Sequence, residues 1–257
     1  MNIHFLGTCS GTEPYPGRQY ASFCIECAGR IYWFDAGEGC SATAHLKGLD
    51  LLAVDRIIIS HPHVDHIGGL MGLLTNIKKL RWVRQQKPYY APLKLYMPYM
   101  ETWRGIRQAL ESTDTFNPDY GMEVDVLSDG LVFRDERMTV SAFHNTHMKK
   151  HNFPPWRSFC FLICAEGQRI VYTGDLGSLA DLDAVLADGC DILISESAHF
   201  PMAELASYLK SKHVGRIYLM HLGRELLFDE ERDEHVRTLF DDKAVIAFDG
   251  MTVSLPE

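Results

Sequence analysis

The first third of the chain alternates short apolar runs with turn residues. The runs "NIHFLG", "ASFCIECAG", "RIYWFDAGEG" and "DRIIISH" are rich in β-branched and aromatic residues, which is typical of β-strands. The period then changes, because leucine and isoleucine recur three or four positions apart in "LMGLLTNIKKLRW", and this spacing predicts a helix over residues 70–82. A strand "LKLYMP" and a helix "METWRGIRQALEST" follow. This part of the chain is predicted to form a sheet with helices packed on it.

From about residue 121 the pattern starts again. Strands are predicted at "MEVDVL", "MTVSAFHNTH", "SFCFLICAEG", "QRIVYTGD", "DILISES", "RIYLMH" and "AVIAFDGMTV", and helices at "LADLDAVLADG", "MAELASYLKSKH" and the polar "LFDEERDEHVRTLF". Two similar halves, 1–120 and 121–257, predict an α+β protein: a four-layer αββα sandwich, with two mixed β-sheets face to face and helices outside. Because no low-complexity linker separates the halves, we expect one domain over residues 1–257.

The composition indicates that the chain can bury a sizeable hydrophobic core. With 257 residues, 46% of them hydrophobic, the chain is expected to fold without cross-links. The seven cysteines follow no regular framework, which favours reduced, buried thiols over disulfides. Cys24 and Cys27 form a lone C-x-x-C within a predicted strand, where their odd spacing points them to opposite faces, so we interpret them as structural.

The net charge and the absence of long apolar runs limit the kinds of partner that we expect this protein to bind. A net charge of -9 gives no basic stripe, so nucleic acid is disfavoured as a partner without being excluded. No apolar run approaches the roughly 18 residues of a membrane span, and the first residues lack the pattern of a signal peptide. We therefore expect a cytoplasmic protein that does not bind membranes.

The stretch "SHPHVDHIGG" places His61, His63, Asp65 and His66 directly after an apolar strand and before a helix. Imidazole and carboxylate groups are common ligands of zinc, manganese and iron. Histidines two positions apart cannot share a helix face, but a loop can turn both inward. Asp65 and His66 then point elsewhere and suit a second ion. The stretch predicts one part of a two-metal centre.

Further ligands are expected at other strand ends. "VYTGDLG" ends a strand with Asp175, which suits a bridging carboxylate, and "IYLMHLG" ends another with His221. "AFHNTHMKKH" offers three histidines, His144, His147 and His151, and the spacing does not choose among them.

These motifs resemble the metallo-β-lactamase fold superfamily. "FDAGEG", "SHPHVDHIGG", a histidine after a second-half strand, "TGD" and "LMH" occur in the superfamily's order over nearly the whole chain. The start "FLGTCSGTEPYPGRQYASFCIE" and "PLKLYMP" are similar to the phosphodiesterase branch, which includes the tRNA 3'-processing endonucleases and small phosphodiesterases of phosphonate and cyclic-nucleotide metabolism.

The resemblance implies roles for individual residues. It implies that one ion is bound by His61, His63 and His147, that the other is bound by Asp65, His66 and His221, and that Asp175 bridges them. His144 and His151 stay open as alternatives to His147. Asp35 resembles a carboxylate that does not bind the metal itself but hydrogen-bonds to the ligands and orients them. The alternative for Asp35 is an ordinary aspartate in a turn. Two divalent ions are expected, with zinc first and manganese or iron as alternatives.

The stretch "SESAHF" resembles the position of the branch's general acid. His199 is the expected proton donor to the leaving oxygen, with Glu196 nearby, and Asp65 completes the expected catalytic set. The alternative for His199 is a surface histidine at a helix start.

The expected function is hydrolysis of a small phosphodiester, such as a cyclic nucleotide. Hydrolysis of a lactone, thioester or amide is the first alternative, because fold and metals do not choose the electrophile. The tRNA-processing endonucleases carry a long basic arm where only 27 residues separate His147 from Asp175 here, which disfavours that activity. A metal-binding module without turnover is a further alternative.

The segment from Trp82 to Gly121 is rich in aromatic residues. They include Tyr89, Tyr90, Tyr96, Tyr99 and Trp103. They suit a lid or a homodimer surface, or ordinary strand and helix packing.

Overall fold

The computed structural model describes residues 1–84, 92–113 and 121–255. They form two seven-stranded mixed sheets with helices, which confirms the predicted α+β class. Counting only described residues, the chain divides into two compact units: Met1–Gly7, Gln19–Leu127 and Asp249–Glu257 in the first, and Thr8–Arg18 and Ser128–Phe248 in the second. That the whole chain acts as one domain stays a prediction.

The first unit contains one sheet and four α-helices. Its strands are β1 (Asn2–Gly7), β2 (Ser22–Cys27), β3 (Arg30–Phe34), β4 (Val54–Ile58), β5 (Leu93–Met97), β6 (Met122–Val126) and β14 (Thr252–Ser254), in the order β14-β1-β2-β3-β4-β5-β6. Its helices are α1 (Cys40–Leu46), α2 (Val64–Ile67), α3 (Leu70–Val83) and α4 (Met100–Glu111), with a 3-10 helix at Leu51–Ala53.

The core of this unit lies between the sheet and its helices. Leu70, Leu73 and Ile77, on one face of α3, belong to the same buried cluster as Trp33 of β3 and Ile57 of β4. The spacing of three or four residues in α3 therefore produces the apolar face that the sequence predicts. This packing fixes the helix that follows the histidine cluster.

The second unit contains the other sheet. Its strands are β7 (Gly130–Arg134), β8 (Met138–His144), β9 (Phe159–Ala165), β10 (Gln168–Tyr172), β11 (Cys190–Ser197), β12 (Val214–Leu222) and β13 (Ala244–Ile246), in the order β13-β12-β11-β10-β9-β8-β7. Its helices are α5 (Leu182–Val185), α6 (Met202–Leu209), α7 (Arg224–Leu227) and α8 (Arg232–Leu239), with 3-10 helices at Lys149–His151 and Leu179–Asp181.

Both sheets follow one pairing scheme. In the first, β1, β2 and β3 are antiparallel, and β4, β5 and β6 continue in parallel from β3. In the second, β7 to β10 are antiparallel, and β11, β12 and β13 continue in parallel from β10. The carboxyl ends of parallel strands meet at one edge of a sheet, where ligands bind in open α/β sheets.

Several predicted elements differ from those in the structure. β6 ("MEVDV") belongs to the first sheet rather than starting the second half, because it pairs in parallel with β5. The predicted last strand "AVIAFDGMTV" is two strands, β13 in the second sheet and β14 beside β1 in the first. The prediction missed β7, an edge strand with an exposed face.

The predicted polar helix over "LFDEERDEHVRTLF" is also divided. α7 ends at Leu227 and α8 begins at Arg232. Asp229 Oδ1 accepts a hydrogen bond of 2.9 Å from the backbone N–H of Glu231. Such a turn two residues along competes with the helix, so the chain restarts its helix after Asp229.

The cysteines fit the structural interpretation. All seven lie among the described residues as thiols and six are buried, Cys24 and Cys27 among them. Burial raises the pKa of the Cys40 and Cys160 thiols to about 12. In the described part of the chain, no helix is both long and apolar enough to cross a membrane. Tyr89 and Tyr90 lie outside the described residues.

Candidate metal centre

The first half-site follows β4 in the first unit. His61 and His63 lie in the loop after the strand, while Asp65 and His66 lie in the one-turn helix α2, for which His63 is the N-cap residue. The sequence predicts that the cluster lies in a loop between strand and helix, which is wrong for Asp65 and His66 because they lie in this helical turn. The rings of His61 and His66 are 4.1 Å apart between centroids, so the loop and the helical turn gather the imidazoles at one point.

Asp35 holds this half-site together. It follows β3 and is fully buried. Its Oδ1 accepts the backbone N–H of Ser60 at 2.6 Å, and its Oδ2 accepts the Ser60 hydroxyl and His66 Nδ1–H, each at 2.7 Å. One carboxylate therefore binds both ends of the cluster, as expected of a carboxylate that orients metal ligands.

These hydrogen bonds determine which nitrogen of the His61 and His66 rings is available to bind a metal ion. Because the Ser60 hydroxyl donates its proton to Asp35, His61 Nδ1–H must donate to Ser60 Oγ, at 3.0 Å. His66 Nδ1–H donates to Asp35 in the same way. In its neutral form, each imidazole therefore presents Nε2 as the unprotonated donor that a metal ion binds.

Two glycines of the sequence motifs allow this arrangement. The backbone N–H of Gly69 donates to Ala36 O at 2.8 Å. A Cβ on Gly69 would lie 2.2 Å from Gly37 O, and a Cβ on Gly37 would lie 2.5 Å from Asp65 O. "DAGEG" and "HIGG" therefore require glycine because two backbone segments touch there.

The second half-site lies at the strand ends of the second unit. Asp175 follows β10, His221 lies near the end of β12, and His147 lies three residues beyond β8. Asp175 Oδ2 is 3.6 Å from His147 Nε2 and 3.3 Å from His221 Nε2. The structure thus brings together the three residues that the sequence analysis proposes from this part of the chain.

His221 is positioned by a β-bulge. Glu196 pairs with Met220 and Ser197 with Leu222, so His221 is an extra residue on β12. Its φ of 51° lies in the left-handed region, which costs a non-glycine residue of order 1–3 kcal/mol. The bulge turns the imidazole toward Asp175 instead of leaving it in the strand alternation.

Glu196 and His199 form a hydrogen-bonded pair. The buried Glu196 carboxylate accepts backbone N–H groups from Leu176 at 3.0 Å and from Ala198 and His199 at 2.9 Å. It also accepts His199 Nδ1–H at 3.0 Å. His199 Nδ1 is 4.0 Å from Asp175 Oδ2, so the pair lies beside the second half-site and His199 presents Nε2.

The structure separates His144 and His151 from the other candidates. His144 donates its Nδ1–H and its backbone N–H to Asp129, both at 2.6 Å, and its ring stacks on Trp156 with centroids 3.9 Å apart. His151 lies in the 3-10 helix after His147. In the described part of the chain, the groups of metal-type donors include His147 and neither of these two. The geometry therefore favours His147.

Several supporting residues were missed by the sequence analysis. Ser60 bonds the His61 ring, Asn145 bonds the backbones of Asp175 and His147, and Asp181 bonds the backbone beside these two residues. Asp181 carries a signal in the sequence, since "SLAD" forms a capping box at the 3-10 helix that begins at Leu179. Asn145 and Ser60 carry none beyond lying next to candidate ligands.

The donor atoms fit divalent ions. Tetrahedral zinc with Zn–N distances of about 2.0–2.1 Å keeps its ligand atoms about 3.3 Å apart. The candidate donor pairs within each unit are 3.1–3.6 Å apart. These pairs are His61 Nε2 with His63 Nδ1, His66 Nε2 with Asp65 Oδ2, and Asp175 Oδ2 with the Nε2 atoms of His147 and His221.

Solved structures share this fold. Over 100% of both chains, the protein is similar to the short form of human tRNase Z, with 22% identity and a TM-score of 0.73. It is similar to the metallo-β-lactamase fold protein YhfI of Bacillus subtilis over 98% of this chain and 99% of that chain, with 17% identity and a TM-score of 0.71. The protein thus has the metallo-β-lactamase fold that the sequence resemblance predicts.

A narrower family follows from the sequence. The family model described as "Anti-Pycsar protein Apyc1" matches residues 1–244. The chain belongs to this family.

Curated relatives carry another name. The Ribonuclease Z of Brevibacillus brevis is 32% identical over 167 residues, which cover 63% of this chain and 47% of that protein. The Ribonuclease Z of Shouchella clausii is 26% identical over 296 residues, which cover 91% of each. The chain therefore matches less than half the length of the first relative and nearly all of the second.

Proposed function

We propose that the protein hydrolyses phosphodiester bonds with two divalent ions that its two half-sites bind jointly. One ion is bound by His61, His63 and His147, the other by Asp65, His66 and His221, and Asp175 is shared. A zinc ion usually takes four ligands, so neither half-site alone supplies enough donors for two ions. Zinc is the first candidate metal, with manganese or iron as alternatives.

The donor spacing within each half-site carries this proposal. Four donor pairs have the separation of ligands on one tetrahedral ion, and Asp35 presents His61 and His66 in the tautomer that binds metal. In a structural site, protein ligands occupy every coordination position of the ion, so no water can bind. Seven ligands shared by two ions leave room for water, which favours catalysis over a structural role.

The side chains then have distinct roles in the reaction. Divalent ions in such a site supply an activated water nucleophile and offset the charge of the phosphoryl oxygens. Asp65 orients the water, and His199 Nε2–H donates a proton to the leaving oxygen. Glu196 acts through His199, because it holds Nδ1 at 3.0 Å and so directs Nε2 toward the substrate. It is therefore a positioning residue.

The first candidate substrate is a small phosphodiester such as a cyclic nucleotide. The 27 residues between His147 and Asp175 leave no room for a long RNA-binding arm, and the net charge of -9 favours a small ligand over a long polyanion. An RNA 3' end is the second candidate, and the names of the curated relatives favour it. A cytoplasmic location and a homodimer stay predictions.

A panel of substrates with metal analysis tests the proposal. The purified protein is assayed with zinc and with manganese on bis-p-nitrophenyl phosphate, cyclic nucleotides, a tRNA with a 3' extension, p-nitrophenyl acetate and a homoserine lactone. We expect two metal ions per chain and hydrolysis of diesters. Turnover of the ester or lactone alone would contradict the proposal, and cleavage of the tRNA without the cyclic nucleotides would select the second substrate.

The role of His199 has its own test. His199→Ala is expected to lower turnover about 100-fold, the usual contribution of a general acid, while two ions remain bound. His235→Ala is the matched control, because His235 is exposed and bonded to Asp229. Unchanged turnover of His199→Ala on the best diester would contradict the assigned role.

A further inference from the structure

Asn145 links the backbones of two candidate ligands in the second unit. Its Nδ2 donates to the carbonyl oxygen of Asp175 at 2.9 Å, and its Oδ1 accepts the backbone N–H of His147 at 3.2 Å. The side chain is buried. Because both bonds reach the ligand residues themselves, one amide group sets the distance between the two backbones.

Asp181 joins the same two segments from another side. Its Oδ2 accepts the backbone N–H groups of Thr146 at 3.1 Å, Gly177 at 3.0 Å and Ser178 at 2.9 Å. The Thr146 hydroxyl also donates to Oδ2, at 2.9 Å. Thr146 directly precedes His147, and Gly177 lies two residues after Asp175. The carboxylate therefore ties the segment of one ligand to the turn that follows the other.

The two segments are also in direct contact. A Cβ on Gly177 would lie 2.3 Å from the carbonyl carbon of Thr146, so only glycine permits this approach. Asn145 and Asp181 therefore form their hydrogen bonds between two segments that are already in contact. Loss of one of these bonds is expected to shift His147 relative to Asp175 rather than to open a cavity.

We propose that Asn145 and Asp181 are positioning residues that set the separation of His147 and Asp175 and thereby the metal affinity of the site. The 3.6 Å between His147 Nε2 and Asp175 Oδ2 is the distance they maintain. This inference rests on the proposed function, since it assigns these two ligands to one ion. Groups that orient ligands from behind typically contribute 10- to 100-fold in metal affinity, roughly the effect expected here.

A zinc titration tests the inference. Metal-free protein is titrated with Zn²⁺ in competition with a chromophoric chelator, so the measurement is an affinity and needs no substrate. Asp181→Ala and Asn145→Asp are expected to weaken zinc binding about 10- to 100-fold, and Thr146→Val, which removes one hydrogen bond, is expected to weaken it less. Asn145→Asp keeps the acceptor for His147 and loses the donor to Asp175.

Two control variants distinguish positioning from general stability. Ser178→Ala removes the bond from Ala180 N–H to Ser178 Oγ in the same turn, yet leaves Asp181 bonded to Thr146 and Gly177. Asp183→Asn changes a neighbouring exposed aspartate that bonds Tyr208 and Lys212. Both controls are expected to bind zinc like the wild type. Their unfolding midpoints show whether lost stability alone weakens binding.

The outcomes separate this inference from the proposed function. If the wild type binds zinc and the folded Asp181 and Asn145 variants bind it equally tightly, the inference is overturned while the proposed function stands. If the wild type binds no zinc or manganese, the proposed function fails and the inference fails with it. Thr146→Val and Asn145→Asp preserve side-chain volume, so they decide the matter if Asp181→Ala does not fold.

Discussion

The two units place an aspartate at the same point of the same strand pattern and use it differently. Asp35 follows β3 and Asp175 follows β10, each the strand where an antiparallel run gives way to parallel pairing. Asp35 bonds Ser60 and His66 from behind. Asp175 faces the Nε2 atoms of two histidines. Strand order thus brings a carboxylate to the same edge of each sheet, and the neighbouring residues decide whether it bonds to the proposed ligands or is placed to be one.

The units also differ in how their supports are distributed. In the first, the proposed ligands lie within six residues and one carboxylate bonds both ends of the cluster. In the second, the proposed ligands come from three separate segments, and Asn145, Asp181 and Glu196 each bond the backbone of one or more of these segments. A contiguous motif can depend on one residue, whereas a dispersed one needs several. Loss of a single support should therefore damage the first unit most.

Asp35→Asn gives the largest expected effect. Asparagine tolerates the φ of 53° at this position, so the substitution changes the charge and hydrogen bonds without straining the backbone. The amide cannot accept all three bonds, and its N–H₂ group would face buried donors, so we expect a loss of about 3 kcal/mol of unfolding free energy, because each hydrogen bond to a charged group or unsatisfied buried donor accounts for about 1–3 kcal/mol. Urea unfolding of the metal-free protein measures this loss.

Asp175→Asn is the matched comparison for that measurement. Its carboxylate faces imidazole nitrogens, so the metal-free protein should lose less stability than with Asp35→Asn, while zinc binding should be lost more completely. If the two substitutions lowered the unfolding free energy equally, Asp35 would not stabilise its unit more than Asp175 does, and the contrast between the units would be wrong.

The contrast also explains how much of the site the sequence predicts. The first half-site is readable because its four donors are consecutive and follow a recognisable strand. In the second, the spacing in "AFHNTHMKKH" does not distinguish His144 from His147. The choice depends on Asp129 and Trp156, which bond and stack with His144 from other segments. Such contacts are set by tertiary structure and leave no local pattern.

The fold shows the same limit at its edges. The sequence predicts β4 and β11, most of whose residues are buried on both faces. β14 is three residues long, and its pairing with β1 joins residues some 250 positions apart in sequence, as with Asn2 and Ser254. Short, half-exposed strands have no periodic signal of their own. Their partners decide their structure.

Glu196→Gln has a smaller expected effect, because support in the second unit is shared. The amide places an N–H₂ group among donors from Leu176, Ala198 and His199, which is expected to cost about 1–3 kcal/mol. Turnover should fall as well, since His199 loses its fixed orientation. Glu204→Gln, on the exposed face of α6, is the control. A loss as large as that of Asp35→Asn would contradict the view that the second unit distributes its supports.

A pH comparison of one histidine from each unit gives the smallest expected effect. Burial lowers the pKa of His4 below its ordinary 6.5, although Glu26 beside it acts in the opposite sense and Lys47 in the same sense. The hydrogen bond to Asp229 raises the pKa of His235. The stability that His4 contributes is therefore complete above pH 6.5 and is lost as the pH falls. The contribution of His235 is present below pH 6.5 and is lost as the pH rises.

Substitution of each histidine should therefore change the pH dependence in opposite directions. His4 is buried at the junction of β1 with β2 and β14, where Nε2–H donates to Glu26 and Nδ1 accepts from the Thr252 hydroxyl. Between about pH 7.5 and 5.5, His4→Gln should lose less stability than the wild type, and His235→Gln slightly more, because His235 is exposed and water screens its pair. Urea unfolding at the two pH values measures both. Changes of the same sign would mean that the burial of His4 does not govern its titration, and that this edge of the first unit is open to water.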